Sequence, residues 1–87
     1  MTATVEEKLI GRITHYYSKL NVGIIEITDA ALDVGNVVHI KGKHTDFTQP
    51  VESLQLKHAG VSHAGVGESV GLKVLEKVHE NDEVYLV

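Results

Sequence analysis

The feature that most constrains the fold is an alternation of apolar and polar residues over short segments. Between Ser69 and Leu75, the apolar residues Val70, Leu72 and Val74 alternate with serine, glycine and lysine. This period of two is typical of a β-strand with one buried face, because successive side chains of an extended chain point to opposite sides. No stretch has the spacing of an amphipathic helix. The pattern therefore predicts an all-β protein.

Other segments of strand-like composition are separated by turn residues. The predicted strands begin at Lys8, Val22, Val37, Val51 and Ser69, and a short sixth strand contains Val84 and Leu86. In so short a chain, closure of the sheet is the simplest way to remove exposed strand edges. We therefore predict a small closed six-stranded barrel.

Local patterns refine this expectation. Gly35 should take the positive φ at the end of a tight turn. The segment 22–28 is apolar on both faces and should be a central strand. Residues 41–49 and 58–67 are expected to be loops, and the broken alternation in segment 51–57 predicts a β-bulge near Glu52 or Ser53.

Length and composition limit the classes of protein. With 87 residues, the chain has room for one small domain, predicted over residues 8–87 after a flexible segment 1–7. The hydrophobic share of 43% and the charged share of 23%, with short apolar runs, exclude a disordered chain and predict no membrane span. Because there is no secretory signal and no cysteine, we expect a cytoplasmic protein without disulfides.

Charge argues against unspecific binding of nucleic acid. Eight basic residues against twelve acidic residues give a net charge of −4, which disfavours contact with a phosphate backbone regardless of sequence. Lys41, Lys43 and His44 are close together and could still form a local basic patch.

The histidines do not predict a metal site. His39 and His44, like His58 and His63, are five residues apart, and a strand places such positions on opposite faces. We therefore expect solvated histidines, no metal and no cofactor.

Nucleophilic catalysis is not predicted either. The segments Ser62–His63 and His44–Asp46 contain the required atoms, but adjacency in sequence does not set the geometry of a triad. A barrel of this size also encloses little space from which water could be excluded. The sequence predicts a protein that is not an enzyme.

Three motifs carry a resemblance to a known module. They are the pair Gly11–Arg12, the V-G-x-x-V-x-I-x-G run over Val34–Gly42, and V-G-E-S-V-G-L over Val66–Leu72. With them, residues 8–87 resemble the second domain of translation elongation factor Tu, and most closely the small stand-alone elongation-factor-like proteins. The chain is similar also to the barrel at the C-terminus of some collagenase-like peptidase-family proteins. The resemblance implies a translation-factor domain 2-like fold, which is a closed six-stranded Greek-key barrel.

The resemblance does not extend to GTP hydrolysis. Elongation factors hydrolyse GTP with a separate domain whose phosphate loop is G-x-x-x-x-G-K-[ST]. Gly35 and Gly42 do not have this spacing, and Lys43 is followed by histidine. No nucleotide hydrolysis is expected.

The resemblance implies a binding function. In that family the barrel meets the acceptor end of an aminoacyl-tRNA or a neighbouring domain. We therefore expect a non-catalytic binding or adaptor module whose protein or RNA partner belongs to the translation or RNA-modification machinery. The candidate contact residues are Arg12, His15, Tyr17, Lys41, Lys43, His44 and Phe47. The alternative is a protein–protein assembly subunit that docks on an enzyme or self-associates through Tyr85, Val87 and strand edges, and the net negative charge favours it.

Phe47, the one phenylalanine, allows two interpretations. It lies among polar residues, so its ring could fold back and close one end of the barrel. It could also remain exposed as a stacking or partner contact beside the basic patch.

Overall fold

A computed structural model describes residues 7–57 and 59–87, and within these ranges the regular secondary structure consists of ten β-strands. The first five are β1 (Lys8–Tyr17), β2 (Val22–Ile27), β3 (Leu32–Asp33), β4 (Val37–Lys41) and β5 (Asp46–Pro50). The other five are β6 (Leu54–Leu56), β7 (Ala59–Val61), β8 (His63–Ala64), β9 (Ser69–Lys73) and β10 (Glu83–Leu86). The prediction of an all-β protein is confirmed.

Eight of these strands form one curled antiparallel sheet in the order β5-β4-β10-β1-β2-β9-β6-β7, and β3 pairs with β8 in a second, two-stranded sheet. The large sheet begins at β5 and ends at β7, so it is a half-barrel with two edges. The prediction of a closed six-stranded barrel is wrong, and with it the closed Greek-key barrel that the resemblance implied.

The long strands form where apolar residues alternate. In β2, Gly23, Ile25 and Ile27 are buried, and the strand lies between β1 and β9, as the apolar pattern on both faces predicted. The inner face of the half-barrel carries the core. Its fully buried large residues are Ile10, Ile13, Ile25, Ile27, Leu32, Ile40, Leu54, Leu72, Val38, Val51, Val70 and Val78.

Both predicted loops contain strands. β5 covers residues predicted as the end of loop 41–49, and β7 and β8 lie within the predicted loop 58–67, whose first residue, His58, is outside the described residues. These strands are edge or two-residue strands that pair with a single neighbour. Hydrogen bonding to that neighbour, and not an alternation of apolar and polar residues, determines these strands, so the sequence pattern does not predict them.

The predicted bulge near Glu52 or Ser53 is also wrong. The strand there, β6, begins only at Leu54, and residues 51–53 do not belong to a strand. Val51 is nevertheless buried. Its N–H donates to the carbonyl of Asn36 at 2.8 Å, and its own carbonyl accepts the N–H of Gly35 at 2.9 Å. Gly35 has a φ of 103°, which confirms the predicted turn.

A buried glutamine links one edge of the sheet to a strand that is not its neighbour. The Gln49 side chain, on edge strand β5, donates through Nε2 to the carbonyl of Lys73 at 2.9 Å and accepts through Oε1 the N–H of Leu75 at 2.8 Å. The residue is only 2% exposed. The amide therefore takes the place of a strand-to-strand ladder between β5 and the end of β9, and helps to keep the sheet curled.

Two other predictions concern the chain as a whole. The division into a flexible segment 1–7 and a domain 8–87 stays a prediction, and residues 1–6 are outside the described residues. None of the described residues belongs to a helix that is long and apolar enough to cross a membrane.

Candidate functional site

The most distinctive surface of the protein is a row of charges that crosses five strands. Strand register places Glu26 beside Arg12, Arg12 beside Glu83, Glu83 beside Lys41, and Lys41 beside Asp46. We call these five residues the charge ladder. Their signs alternate along the whole row, so each inner charge has an opposite charge on both sides, which is the stabilising arrangement for cross-strand pairs.

A groove with a volume of about 730 Å³ runs along the ladder. Its walls come from β1, β2, β4 and β10 and from the segments that follow β4 and precede β10. The lining residues are Leu9, Gly11, Arg12, Glu26, Thr28, Lys41, Gly42, Lys43, Asn81, Glu83 and Tyr85. Three lining residues are cations and two are carboxylates, so the groove has a slight excess of positive charge in a protein of net negative charge.

Two glycines make the close packing under the groove possible. A Cβ on Gly11 would overlap the backbone carbonyl of Glu26, and a Cβ on Gly42 would overlap the buried Asp82 carboxylate. The register of β1 against β10 also shifts between Leu9 and Gly11. The shift is a bulge-like irregularity, which bends a strand and changes the direction of its side chains.

Hydrogen bonds and ion pairs partly order the groove. The Nε atom of Arg12 lies 3.4 Å from Oε1 of Glu26, and both side chains are roughly half exposed. The Tyr85 hydroxyl donates to Oε1 of Glu83 at 2.9 Å. This hydrogen bond to a carboxylate, followed by burial, raises the pKa of Tyr85 above its usual range. Among the ion pairs of the described residues, none involves Lys43.

The structure brings three of the seven predicted contact residues together. Arg12, Lys41 and Lys43 line the groove. His15 and Tyr17 lie farther along β1, where their rings make an edge contact with centroids 4.4 Å apart and His15 also faces Glu80. His44 lies beside His79, with ring centroids 5.9 Å apart. The role of these residues in binding stays a prediction.

Phe47, the seventh predicted contact residue, is half-buried in β5 and packs against the hydrophobic core. Its register partner is the fully buried Ile40. The ring therefore packs against the core from within β5. It does not fold back from a loop to close the end of a barrel, and it is not fully exposed either.

One cluster contains the elements of a hydrolytic site, but its geometry does not suit one. The Thr45 hydroxyl lies 3.0 Å from Nδ1 of His79, and Oδ2 of Asp82 lies 3.8 Å from the same nitrogen. A catalytic relay needs the hydroxyl on one imidazole nitrogen and the carboxylate on the other. Instead, Asp82 Oδ2 accepts the backbone N–H of His79 at 2.8 Å, so the cluster orders this turn. In the part of the chain that the structure describes, no three side chains of His, Cys, Asp or Glu converge on a possible metal position.

Sequence reasoning missed the acidic and aromatic half of the groove. Glu26 and Glu83 were not candidates, and Tyr85 was named only for self-association, because these residues are distant in sequence from the basic patch. Strand register alone brings them next to Arg12 and Lys41.

Comparison with known proteins gives relatives that are much longer than this chain. An uncharacterized protease of Methanocaldococcus jannaschii is 39% identical over 79 residues, which cover 90% of this chain and 19% of the relative. A collagenase of Porphyromonas gingivalis is 31% identical over 84 residues, which cover 95% of this chain and 20% of the relative. The chain thus spans about a fifth of the length of these curated relatives. No family model matches it.

A solved structure shares the fold. The C-terminal domain of a protein described as a U32 peptidase, from Geobacillus thermoleovorans, has a TM-score of 0.83. The match covers 100% of this chain and 99% of that domain at 17% sequence identity. At this identity the match shows the fold alone.

These comparisons correct three predictions. The identification as an elongation-factor-like protein is wrong, and so is the assignment to translation, because the relatives are a protease and a collagenase and the matching structure is a domain of a U32 peptidase. The prediction that the chain is not an enzyme is also wrong as stated, because the chain resembles one domain of peptidase-family proteins. The second resemblance, to the barrel of collagenase-like peptidases, agrees with these findings.

Proposed function

We propose that this chain is a protein-binding domain of a peptidase system and that its charge ladder and groove dock on the catalytic part of a peptidase-family protein. The observation that carries the proposal is the share of its relatives that this chain matches. The chain matches about a fifth of proteins named protease and collagenase, and the matching structure is a separate C-terminal domain.

The electrostatics of the groove favour a protein partner over RNA. In the charge ladder, Arg12 and Lys41 each lie between two carboxylates, and the ladder as a whole contains three acidic and two basic residues. A phosphate backbone would meet carboxylates next to every cation of the row, whereas a protein surface can present charges of both signs in register. The chain's net charge of −4 also disfavours binding of RNA.

A domain replacement tests the proposal. In the Porphyromonas gingivalis collagenase, the matching segment is deleted in one variant and replaced by this chain in another, and cleavage of collagen is measured. We expect deletion to abolish or strongly reduce cleavage and replacement to restore it. Full activity after deletion would refute a docking role.

A matched pair of charge reversals tests the groove itself. Lys43→Glu in the replacement protein changes a lining residue that lies outside the charge ladder. Lys19→Glu makes the same charge change at an exposed position in the β1–β2 turn, away from the groove. We expect Lys43→Glu to reduce activity several-fold and Lys19→Glu to leave it unchanged. Equal effects of the two substitutions would contradict docking through the groove.

A salt titration with single-stranded RNA tests the alternative partner. Binding through three phosphates would weaken about 20-fold between roughly 50 and 200 mM salt, given a slope of about −0.7 per phosphate. We expect no measurable RNA binding at the higher salt. Tight binding with this slope, lost in Lys43→Glu, would favour RNA.

A further inference from the structure

One histidine lies between two carboxylates from different parts of the chain. Nδ1 of His39, in β4, is 2.7 Å from Oε2 and 2.9 Å from Oε1 of Glu7, which precedes β1. Nε2 of His39 makes a short contact with Oδ1 of Asp46, the first residue of edge strand β5. The ring thus bridges the start of β1 and the edge of the sheet.

The chemistry of imidazole makes this bridge dependent on one proton. A neutral imidazole has one N–H donor and one lone-pair acceptor. It can donate to only one carboxylate, and its lone pair would then face the oxygen lone pairs of the other. The imidazolium ion has two N–H donors and can donate to both. The His39 side chain is only 16% exposed, so water replaces these partners poorly.

We propose that Glu7, His39 and Asp46 form a proton-operated clasp, which ties the start of β1 to edge strand β5 while His39 carries two N–H groups. When His39 carries a single N–H group, the clasp releases Glu7, the more distant of the two carboxylates. The proposal of the clasp does not rest on the docking function proposed above.

The groups around His39 set the direction of the response. Asp46 first and Glu7 second raise the pKa of His39 by hydrogen bonding, against the opposing effect of burial. His39 in turn lowers the pKa of Asp46, and Lys41 acts on that carboxylate in the same sense. From β10, the Tyr85 ring lies 6.4 Å from the His39 ring between centroids, and its hydroxyl is bound to Glu83.

These shifts give the pH window of the clasp. Because the folded-state pKa of His39 is above its ordinary value of 6.5, the contribution to stability is complete below 6.5 and is lost as the pH rises through the raised value. Because the pKa of Asp46 is lowered, its carboxylate stays charged in mild acid. The clasp is closed in mild acid and opens as the pH rises past the His39 midpoint.

Nuclear magnetic resonance of the whole chain tests the clasp. The titration of the His39 ring protons gives its midpoint, and the backbone relaxation of Glu7 and Lys8 reports order at the start of β1. We expect Asp46→Asn and Glu7→Gln each to lower the His39 midpoint. In the unsubstituted protein, the order of Glu7 should decrease with the same midpoint as the His39 titration.

A second histidine–carboxylate pair supplies the control. Nδ1 of His63 lies 2.6 Å from Oδ1 of Asp33, on the small sheet. Asp33→Asn removes a comparable contact and should leave the His39 midpoint and the order of Glu7 unchanged. The clasp is refuted if His39 titrates at its ordinary value, if neither carboxylate substitution moves its midpoint, or if the order of Glu7 does not change with pH.

Discussion

The buried amide of Gln49 offers the sharpest test of how the half-barrel is held. Gln49→Met keeps an unbranched side chain of similar length but removes the donor to the Lys73 carbonyl and the acceptor for the Leu75 N–H. Both backbone groups then lose their partner in a partly buried position, where the β-ladder does not supply another.

The size of the effect follows from these two groups. An unsatisfied buried polar group costs about 1–3 kcal/mol, so two would cost about 2–6 kcal/mol. Because the bonds are only partly buried, some water reaches the groups, and we expect a loss of about 2–4 kcal/mol. A chain of this length has a total stability of about 4–13 kcal/mol. At about 4–8 °C per kcal/mol, the Tm should decrease by at least about 8 °C.

Urea denaturation and hydrogen exchange measure the two parts of this prediction. The free energy of unfolding should decrease as stated, and the amide hydrogen of Leu75 should lose its protection before the core strands lose theirs. The control is Gln55→Met, at an exposed position of β6, which should change stability by less than about 0.5 kcal/mol. Equal stability of Gln49→Met and Gln55→Met would refute the argument that the amide replaces a strand ladder.

Two further predictions concern the floor and the charges of the groove. Gly42→Ala should cost about 1–3 kcal/mol in urea denaturation because the new Cβ overlaps the buried Asp82 carboxylate, whereas Gly60→Ala, which meets no atom within 4 Å, should be neutral or slightly stabilising. Lys41→Glu should lower the Tm at low salt, since it puts like charges beside both Glu83 and Asp46, and the loss should shrink in about 1 M salt, at about 0.2–1 kcal/mol per pair. A loss that salt does not reduce would contradict the ladder.

The long strands were predictable because the alternation of apolar and polar residues along them indicates which side chains are buried. β9 has Val70 and Leu72 inward, and β2, which is apolar on both faces, lies between two neighbours in the sheet. In these strands the alternation of residue types shows directly which side of the strand is buried.

The edges of the sheet were not predictable from the same rule. In β5 the inward positions hold the half-buried Phe47 and the buried Gln49, and the Gln49 amide binds a backbone group of another strand. A hydrophobic pattern cannot distinguish such a residue from one in a solvated loop. Closure was overestimated for the same reason, since side-chain hydrogen bonds, and not a further strand, connect β5 to β9.

The candidate site, like the fold, was only partly predictable from the sequence. Sequence charge pointed to Lys41 and Lys43, and the resemblance added Arg12; all three line the groove. Their acidic neighbours depend on register, and the register of β1 shifts twice, between Leu9 and Gly11 and between Ile13 and His15. A slip of one residue would move Arg12 to the other face, so the charge ladder follows from the bulges and not from composition.

The charge ladder and the clasp share Asp46, which couples the two surfaces. Asp46 ends the ladder beside Lys41 and also accepts a hydrogen bond from His39. A partner that draws Lys41 away leaves the Asp46 carboxylate to His39 alone, which favours the imidazolium. By the reciprocity of linked equilibria, a proton on His39 must then favour that partner by the same factor. Docking through Lys41 and closure of the clasp are therefore expected to strengthen each other, and both are strongest in mild acid.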